Sequence, residues 1–265
     1  MFDLAWPVMY NRVGRIGAKV TTAATLGERC VSPRRETCVK EDDQNRRART
    51  DQVRRRLLEA YGQPRWHSDL DPVSQLVNTI LSQNTNDAKR DLAYGRLRTG
   101  LPTWEHVRDA DTAVVVDAIR PAGLANQKGP RIQEALRLIT RQRGEISLDF
   151  LAAWPVQEAR AWLSSIHGVG PKTAAIVLLF SFGKPAFPVD THIHRVTRRL
   201  GLIGPKVSRE RAHAELAALV DPEDYYAFHL NVIRHGREVC RSRSPRCPLC
   251  VLQDLCDYYH QQATE

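Results

Sequence analysis

The segment that most restricts how this chain can fold is a glycine-rich turn between two apolar runs. It reads SSIHGVGPKTAAIVLLFSFG and spans residues 164–183. Gly168, Gly170 and Pro171 stand close together in the turn, and a continuous helix disfavours such a group. The run that follows is apolar nearly all round, which is typical of a helix that other helices surround. The segment therefore predicts two helices joined by a tight turn, with Lys172 at the start of the second.

A second segment, DPVSQLVNTILSQ at residues 71–83, predicts an amphipathic helix. Asp71 suits the N-cap, because its carboxylate can accept hydrogen bonds from the first free N–H groups, and Pro72 suits the first helical position. The apolar residues then recur with the i, i+3, i+4, i+7 spacing of one buried face. They are Val73, Leu76, Val77, Ile80 and Leu81.

Two further segments have helical periodicity, and strand-like alternation is scarce. In GPRIQEALRLITRQRG, residues 129–144, the pattern predicts a helix that starts at Pro130 and stops at Gly144. In DTHIHRVTRRLG, residues 190–201, it predicts one face toward the core and one toward solvent. The core face holds Ile193, Val196 and Leu200, and the solvent face holds His192, Arg195 and Arg199. The chain has no internal repeat, and the predicted fold class is all-α.

The charge of the chain indicates a polyanionic partner. Its 265 residues carry a formal net charge of +9 and the isoelectric point is about 9.5, which favours nucleic acid. No run approaches the roughly 18 uninterrupted apolar residues of a membrane span, and the N-terminus lacks the pattern of a secretory signal. We therefore expect an intracellular monomer with no membrane partner, cytoplasmic and nucleoid-associated if the source is bacterial or archaeal.

Residues 1–45 have no apolar period and mix both charge signs with Ser, Thr and Pro. Such a composition predicts a flexible basic tail. A mitochondrial or chloroplast transit peptide is disfavoured, because those peptides are poor in acidic residues. The acidic residues here are Glu36, Glu41, Asp42 and Asp43.

Four of the six cysteines lie near the C-terminus, at Cys240, Cys247, Cys250 and Cys256, with the spacing C-x6-C-x2-C-x5-C. In an intracellular protein such a group indicates a metal or iron–sulfur site rather than disulfides. A zinc site would usually offer two C-x2-C pairs, whereas four thiolates in one loop suit a [4Fe–4S] cluster. The cluster is therefore favoured, and zinc or unliganded cysteines stay open. Three arginines, Arg241, Arg243 and Arg246, lie between the first two cysteines and could contact phosphate.

The turn after residue 167 could hold an anion. Gly168 and Gly170 allow positive φ and a close approach of another backbone. The helix that follows presents free N–H groups at its start, where the helix dipole favours a negative charge such as a DNA phosphate. The alternative is a plain helix connection that binds nothing, and the turn alone does not decide between the two.

Together, SIHGVGPKTAAIV and FPVDTHIHRV resemble the helix-hairpin-helix DNA glycosylases, and most closely the endonuclease III group. The resemblance covers about residues 55–260, including the cysteine loop. It implies that Lys172 is a catalytic nucleophile and Asp190 a catalytic carboxylate. It also implies an activity, a bifunctional glycosylase and abasic-site lyase of base excision repair that acts on double-stranded DNA with oxidised pyrimidines or abasic sites.

These residue types fit that chemistry. A free lysine amine could attack the C1′ atom of the sugar, expel the base and leave a Schiff base that loses the 3′ phosphate by β-elimination. The start of a helix and partial burial both disfavour the ammonium form of Lys172. Asp190 could stabilise positive charge on the sugar or shuttle protons. The plainer alternatives are a solvated lysine at a helix end and a simple N-cap at Asp190, and the capping role is compatible with catalysis.

The resemblance also implies residues that contact DNA once the target base has left the helix. ILSQNTND places Asn84 in the gap-filling position with Gln83 beside it, and GLANQK supplies Leu124 as a wedge. The remaining expected contacts are Gly168, Val169, Gly170, Thr173 and His192. Three residues depart from the family pattern. The family often has glutamine at the position of Asn84, usually has proline at that of His167, and often has a basic residue at that of Pro171. These departures leave the lesion spectrum open.

The resemblance implies two helical lobes with a DNA-binding cleft between them. One lobe comprises residues 68–182, and the other combines residues 46–67 with 183–265, including the iron–sulfur loop at 240–256. Two alternative functions stay open. Adenine-specific mismatch glycosylases share the cluster but lack a lysine after the hairpin. A non-catalytic DNA-binding protein would keep the hairpin and cluster without needing Lys172 or Asp190.

Overall fold

The computed structural model describes residues 33–263, and every regular element in that range is helical, with no strand. This confirms the predicted all-α class. None of these helices combines the length and the apolar character needed to cross a membrane. The α-helices are α1 (Pro33–Tyr61), α2 (Pro72–Ser82), α3 (Asp87–Gly100), α4 (Trp104–Asp109), α5 (Thr112–Ala118), α6 (Ala125–Arg143), α7 (Val156–Ser165), α8 (Pro171–Phe182), α9 (Thr191–Arg199), α10 (Arg209–Leu219), α11 (Tyr225–Glu238) and α12 (Asp257–Ala263).

The chain divides into two units, Met1–Lys40 and Glu41–Glu265. Most of the predicted flexible tail lies outside the described residues. Helix α1 begins at Pro33, so residues 33–45 of that predicted tail are helical. The segment between Glu41 and Thr50 contains no Gly or Pro and is rich in good helix formers. An ion pair between Arg46 and Asp43, three residues apart, supports this helical stretch.

The predicted N-terminal cap of α2 is confirmed. Asp71 Oδ1 accepts hydrogen bonds from the N–H groups of Val73 (3.1 Å) and Ser74 (3.0 Å), and Pro72 opens α2. These contacts satisfy N–H groups that the first helical turn leaves without partners. The start of α2 is therefore fixed by its own sequence.

Helix α6 differs from its prediction at one end. It ends at Gly144 as predicted, with φ of 81°, but it begins at Ala125 and contains Pro130. A proline at the sixth position of a helix has no N–H to donate, so one helical hydrogen bond is lost, and its ring crowds the preceding turn. Packing of the first turn overrides this local cost, because Lys128 and Gly129 in that turn are buried. The start of α6 is therefore set by tertiary contacts.

Two apolar cores lie within the unit Glu41–Glu265. The first is built from α2 to α8, and the second from the end of α1 and the chain beyond α8. Helix α8 contributes to both, since Leu178 packs in the first core and Leu179 in the second. The prediction that this helix is central is confirmed. The lobe boundaries given above stay a prediction.

Candidate active site

A cleft of about 700 Å³ brings together the start of α8, the start of α9 and the end of α2. Lys172 and Asp190 both line it. Five of the residues predicted to contact DNA line it as well: Gln83, Asn84, Gly170, Thr173 and His192. Three others, Leu124, Gly168 and Val169, do not line it. Residues separated by about a hundred positions in the chain thus share one concave surface.

Lys172 is the second residue of α8 and is half-buried. Pro171 precedes it and has no N–H to leave unsatisfied, which suits the first helical position. Among the contacts of the described residues, no hydrogen bond or ion pair engages the Lys172 side chain, and none joins it to Asp190. The amine is therefore available to a ligand in the cleft.

Asp190 is both a cap and a cleft residue. Its Oδ1 atom accepts a hydrogen bond of 2.7 Å from the N–H of Ile193 and so begins α9. The side chain is half-buried and lines the cleft. The capping role that the sequence suggested is confirmed, and it fixes the orientation of the carboxylate toward the cleft.

Two histidines that sequence reasoning missed support the segment before Asp190. Nδ1 of His213 donates to the carbonyl oxygen of Phe187 (2.9 Å), and Nδ1 of His229 donates to that of Pro188 (3.1 Å). Both rings line the cleft. Because a carbonyl oxygen can only accept, each ring carries its proton on Nδ1 and leaves Nε2 as an acceptor.

Both rings are uncharged at neutral pH. Burial lowers the pKa of His229 to about 4, although the nearby charge of Asp190 opposes the shift. Burial also lowers the pKa of His213. No local pattern points to these residues, because a histidine on an apolar helix face more often packs in a core than serves a site.

The two glycines of the hairpin have different backbone conformations. Gly168 has φ of 83°, a conformation that only glycine adopts readily, whereas Gly170 has φ of −87°. Val169 is buried, and its N–H donates to Ile166 O at 3.0 Å, so its side chain and N–H are both engaged within the protein. Gly170 is exposed, and a Cβ added there would meet no atom within 4 Å. No side chain caps α8 at Gly170, so the N–H groups of its first turn have no side-chain partner.

The two residues predicted to enter the DNA stack lie on two separate loops. Asn84 is exposed just beyond α2, and Gln83 beside it donates from Nε2 to Gly168 O at 3.2 Å. Leu124 is 48% exposed and lies just before α6, on a separate depression of about 320 Å³. Both Asn84 and Leu124 have φ of 52°.

The four C-terminal cysteines line one small apolar cavity, together with Arg199 and the rings of Tyr258 and Tyr259. All four are free thiols. Burial raises the pKa of the Cys250 thiol to about 11 and also raises that of Cys256. Within residues 33–263, no three His, Cys, Asp or Glu side chains converge as ligands of a single metal ion. The donor set, four sulfur atoms around one apolar cavity, fits an iron–sulfur cluster, which is ligated by cysteines.

Two arginines of α9 hold the cysteine loop, although the sequence placed them on a solvent face. Arg195 donates to the carbonyl oxygens of Gly236 (2.8 Å) and Cys240 (3.0 Å). Arg199 donates to Arg241 O (2.7 Å) and to Cys240 Sγ (3.3 Å). The prediction was wrong because the loop folds back over α9 and offers its carbonyl groups there.

Comparison with known proteins identifies the family. Residues 77–222 match the HhH-GPD superfamily of base excision DNA repair proteins. Endonuclease III of Sulfolobus acidocaldarius is 37% identical over 186 residues, which cover 69% of this chain and 81% of that protein. This chain belongs to the endonuclease III family. A structure of a non-covalent endonuclease III–DNA complex is similar, with a TM-score of 0.72, 25% identity, and coverage of 83% of this chain and 99% of that one. A trapped endonuclease III–DNA covalent intermediate also has a TM-score of 0.72, with 26% identity over 82% of this chain and 98% of that one.

Proposed function

We propose that this member of the endonuclease III family removes oxidised pyrimidines from double-stranded DNA through a Schiff base on Lys172. The chain is a base excision repair enzyme with DNA glycosylase and abasic-site lyase activities. The residue roles and the lesion class are our proposal. The observation that carries it is the placement of Lys172 and Asp190 in one cleft, with no hydrogen bond or ion pair to the amine among residues 33–263.

In the proposed reaction, the Lys172 amine attacks C1′ of the extruded nucleotide and the bond from C1′ to the base breaks. The base leaves with the electron pair of that bond and takes up a proton. Ring opening of the sugar gives the Schiff base, and loss of a C2′ proton then breaks the bond from C3′ to the phosphate oxygen. Asp190 stabilises positive charge on the sugar and accepts the proton that Lys172 loses.

DNA binding is proposed to use the hairpin and the two loops. The open first turn of α8 at Gly170 suits a phosphate, because free N–H groups and the helix dipole attract an anion there. Thr173 and His192 line the cleft beside the proposed catalytic pair. Asn84 and Leu124 are exposed and would fill the space that the flipped nucleotide leaves.

We further propose that Cys240, Cys247, Cys250 and Cys256 hold a [4Fe–4S] cluster. When bound, the cluster would supply a rigid anchor for the loop and no redox step, because base excision transfers no electrons. The raised pKa values of the partly buried Cys250 and the buried Cys256 support this, since the iron would stabilise thiolates that burial disfavours. The exposed side chains of Arg241, Arg243 and Arg246 would then contact phosphates. Iron analysis of protein purified without oxygen tests this, and a colourless, zinc-loaded protein would contradict it.

The two other functions are not favoured. Adenine-specific mismatch glycosylases lack a lysine after the hairpin, and this chain has Lys172 lining the cleft. A non-catalytic DNA-binding protein would have no need for Asp190 in the same cleft. We expect the enzyme to act inside the cell as a monomer on DNA with damaged bases or abasic sites.

Borohydride trapping on duplex DNA with an abasic site tests the proposal. We expect a covalent adduct from the native chain and none from Lys172→Gln, which should still bind the DNA. Lys206→Gln is the matched control, because Lys206 is an exposed lysine that does not line the cleft. An adduct from the Lys172 variant would refute the role of that amine. A kinetic panel over thymine glycol, dihydrouracil and uracil would then rank the lesions.

A further inference from the structure

Lys128 is a lysine buried in the apolar first core. It lies in the first turns of α6, its side chain is only 1% exposed, and burial lowers its pKa. Among the contacts of the described residues, no carboxylate pairs with it. Burying an amine without an acidic partner is costly. The hydrogen bonds of the amine must therefore explain why it lies there.

The Lys128 amine donates two hydrogen bonds to backbone groups of different segments. Nζ lies 2.8 Å from Leu81 O and 2.9 Å from Ala122 O. Leu81 is in the last turn of α2, where carbonyl groups lack helical partners and the helix dipole favours a cation. Ala122 ends a short 3-10 turn that leads to the start of α6. One side chain thus joins the ends of two segments.

Both joined carbonyls lie just before the exposed residues proposed to enter DNA. Asn84 follows Leu81 by three residues, and Leu124 follows Ala122 by two. Within residues 33–263, only three residues other than glycine have φ in the left-handed region: Asn84, Leu124 and Ser244. Such conformations cost energy and persist where the surrounding structure imposes them.

We propose that Lys128 is a positioning residue that fixes Asn84 and Leu124 relative to each other, so that both enter the DNA stack when the target nucleotide leaves it. The proposal rests on the function proposed above for those two residues. An apolar side chain could fill the same space in the core. It would leave Leu81 O and Ala122 O without a donor, and the two loops would then be free to separate.

The test compares Lys128→Met with a matched variant on two substrates. Lys184→Met is the control, because Lys184 Nζ also donates to a carbonyl oxygen, that of Trp154 at 2.8 Å, in a different part of the fold. Strand cleavage is measured on abasic DNA in duplex and in single-stranded form. A flipped nucleotide leaves a gap to be filled only in the duplex, whereas both DNA forms require attack by Lys172.

We expect Lys128→Met to lose roughly 100-fold in duplex cleavage, the scale of a small misplacement, with little loss on single-stranded DNA. Lys184→Met should cleave both DNA forms at close to the native rate. The double variant of Lys128→Met with Leu124→Ala should be no worse than the poorer single variant, because both changes remove one function. Equal losses on both substrates would reduce Lys128 to a general structural role, and unchanged duplex cleavage would refute the proposal.

A second measurement does not depend on activity. Hydrogen exchange of the free protein should become faster at residues 82–86 and 122–126 in Lys128→Met, and stay unchanged at the hairpin. If the native chain forms no adduct, the proposed function fails, and this exchange pattern still decides whether Lys128 holds the loops. If Lys128→Met does not fold, Lys128→Gln replaces it, since its amide keeps two N–H donors but reaches less far. That variant should show the same pattern with smaller losses, and losses equal on both substrates would refute the proposal.

Discussion

The side-chain amide of Gln83 donates a 3.2 Å hydrogen bond to the carbonyl oxygen of Gly168, which lies 85 residues further along the chain. This bond joins the loop that carries Asn84 to the hairpin that carries Lys172. Gly168 has a φ of 83° at this point, a conformation that glycine adopts readily. The loop that would fill the DNA gap and the helix that carries the amine are thereby held as one surface.

Replacing Gln83 by methionine should weaken this connection. Methionine has a similar length but no N–H donor, so the variant loses a hydrogen bond with a net contribution of about 1 kcal/mol. We expect roughly fivefold weaker binding of duplex abasic DNA, measured by fluorescence anisotropy, with the fold retained. Gln142→Met serves as the control, because Gln142 bonds to Trp162 and does not line the cleft. Unchanged affinity in the Gln83 variant would contradict the prediction.

The two hairpin glycines should respond differently to alanine. At Gly170 the backbone is extended and an added Cβ meets nothing within 4 Å, so Gly170→Ala should keep its stability and lose DNA affinity. At Gly168 the φ of +83° is strained for alanine, and the Cβ would lie 2.8 Å from Arg131 Cδ. Gly168→Ala should therefore lose about 1–2 kcal/mol of stability. Denaturant unfolding and DNA titration measure the two effects, and an unstable Gly170 variant would contradict the assignment.

Asp190→Asn should separate capping from catalysis. Asparagine is as good an N-cap as aspartate, so α9 and the hydrogen bond to Ile193 should survive. The negative charge that the proposed chemistry requires is removed, and turnover should fall by about two to four orders of magnitude. Affinity for abasic DNA should change little. A variant that binds poorly but turns over normally once bound would mean that capping is the main role of this residue.

Stability should fall in mild acid because His229 is buried in its neutral form. Its pKa is about 4 in the folded chain against an ordinary value near 6.5. Between these values the unfolded chain binds more protons, so the free energy of unfolding decreases as the pH falls from about 6.5 to about 4. Below about pH 4, the loss that His229 causes in the free energy of unfolding is on the order of 3 kcal/mol.

The check for this prediction is denaturant unfolding across that pH range. His229→Gln can still donate to Pro188 O but cannot titrate. The slope of its stability against pH should therefore be smaller than that of the native chain over the same range. Equal slopes would show that other groups cause the acid sensitivity.

Much of the local structure followed from the sequence alone. Asp71 and Pro72 predicted the start of α2, and Gly144 predicted the end of α6, because caps and stops depend on residues only a few positions apart. The all-round apolar run after the hairpin predicted a central helix, and α8 does lie between two cores. The motif around Lys172 and Asp190 also sufficed to indicate the family.

Other features depended on contacts between distant segments. Pro130 gave a wrong start for α6, since a buried Lys128 and its two carbonyl partners extend that helix toward its N-terminus. Arg195 and Arg199 were predicted to lie on a solvent face, because helical periodicity cannot reveal that a distant loop covers that face. The helical stretch from Pro33 was missed because its polar sequence has no apolar period.

By itself the sequence predicted α2, α8 and α9 and indicated the family and its candidate site residues, because caps, helical periodicity and motif spacing act over a few residues. Only the tertiary structure decided that His213 and His229 support the segment leading to Asp190, and that Lys128 joins the loops of Asn84 and Leu124. The physical reason is that buried polar groups must find hydrogen-bond partners wherever the folded chain supplies them. Those partners lie up to 47 residues away in the chain, beyond the reach of any local pattern.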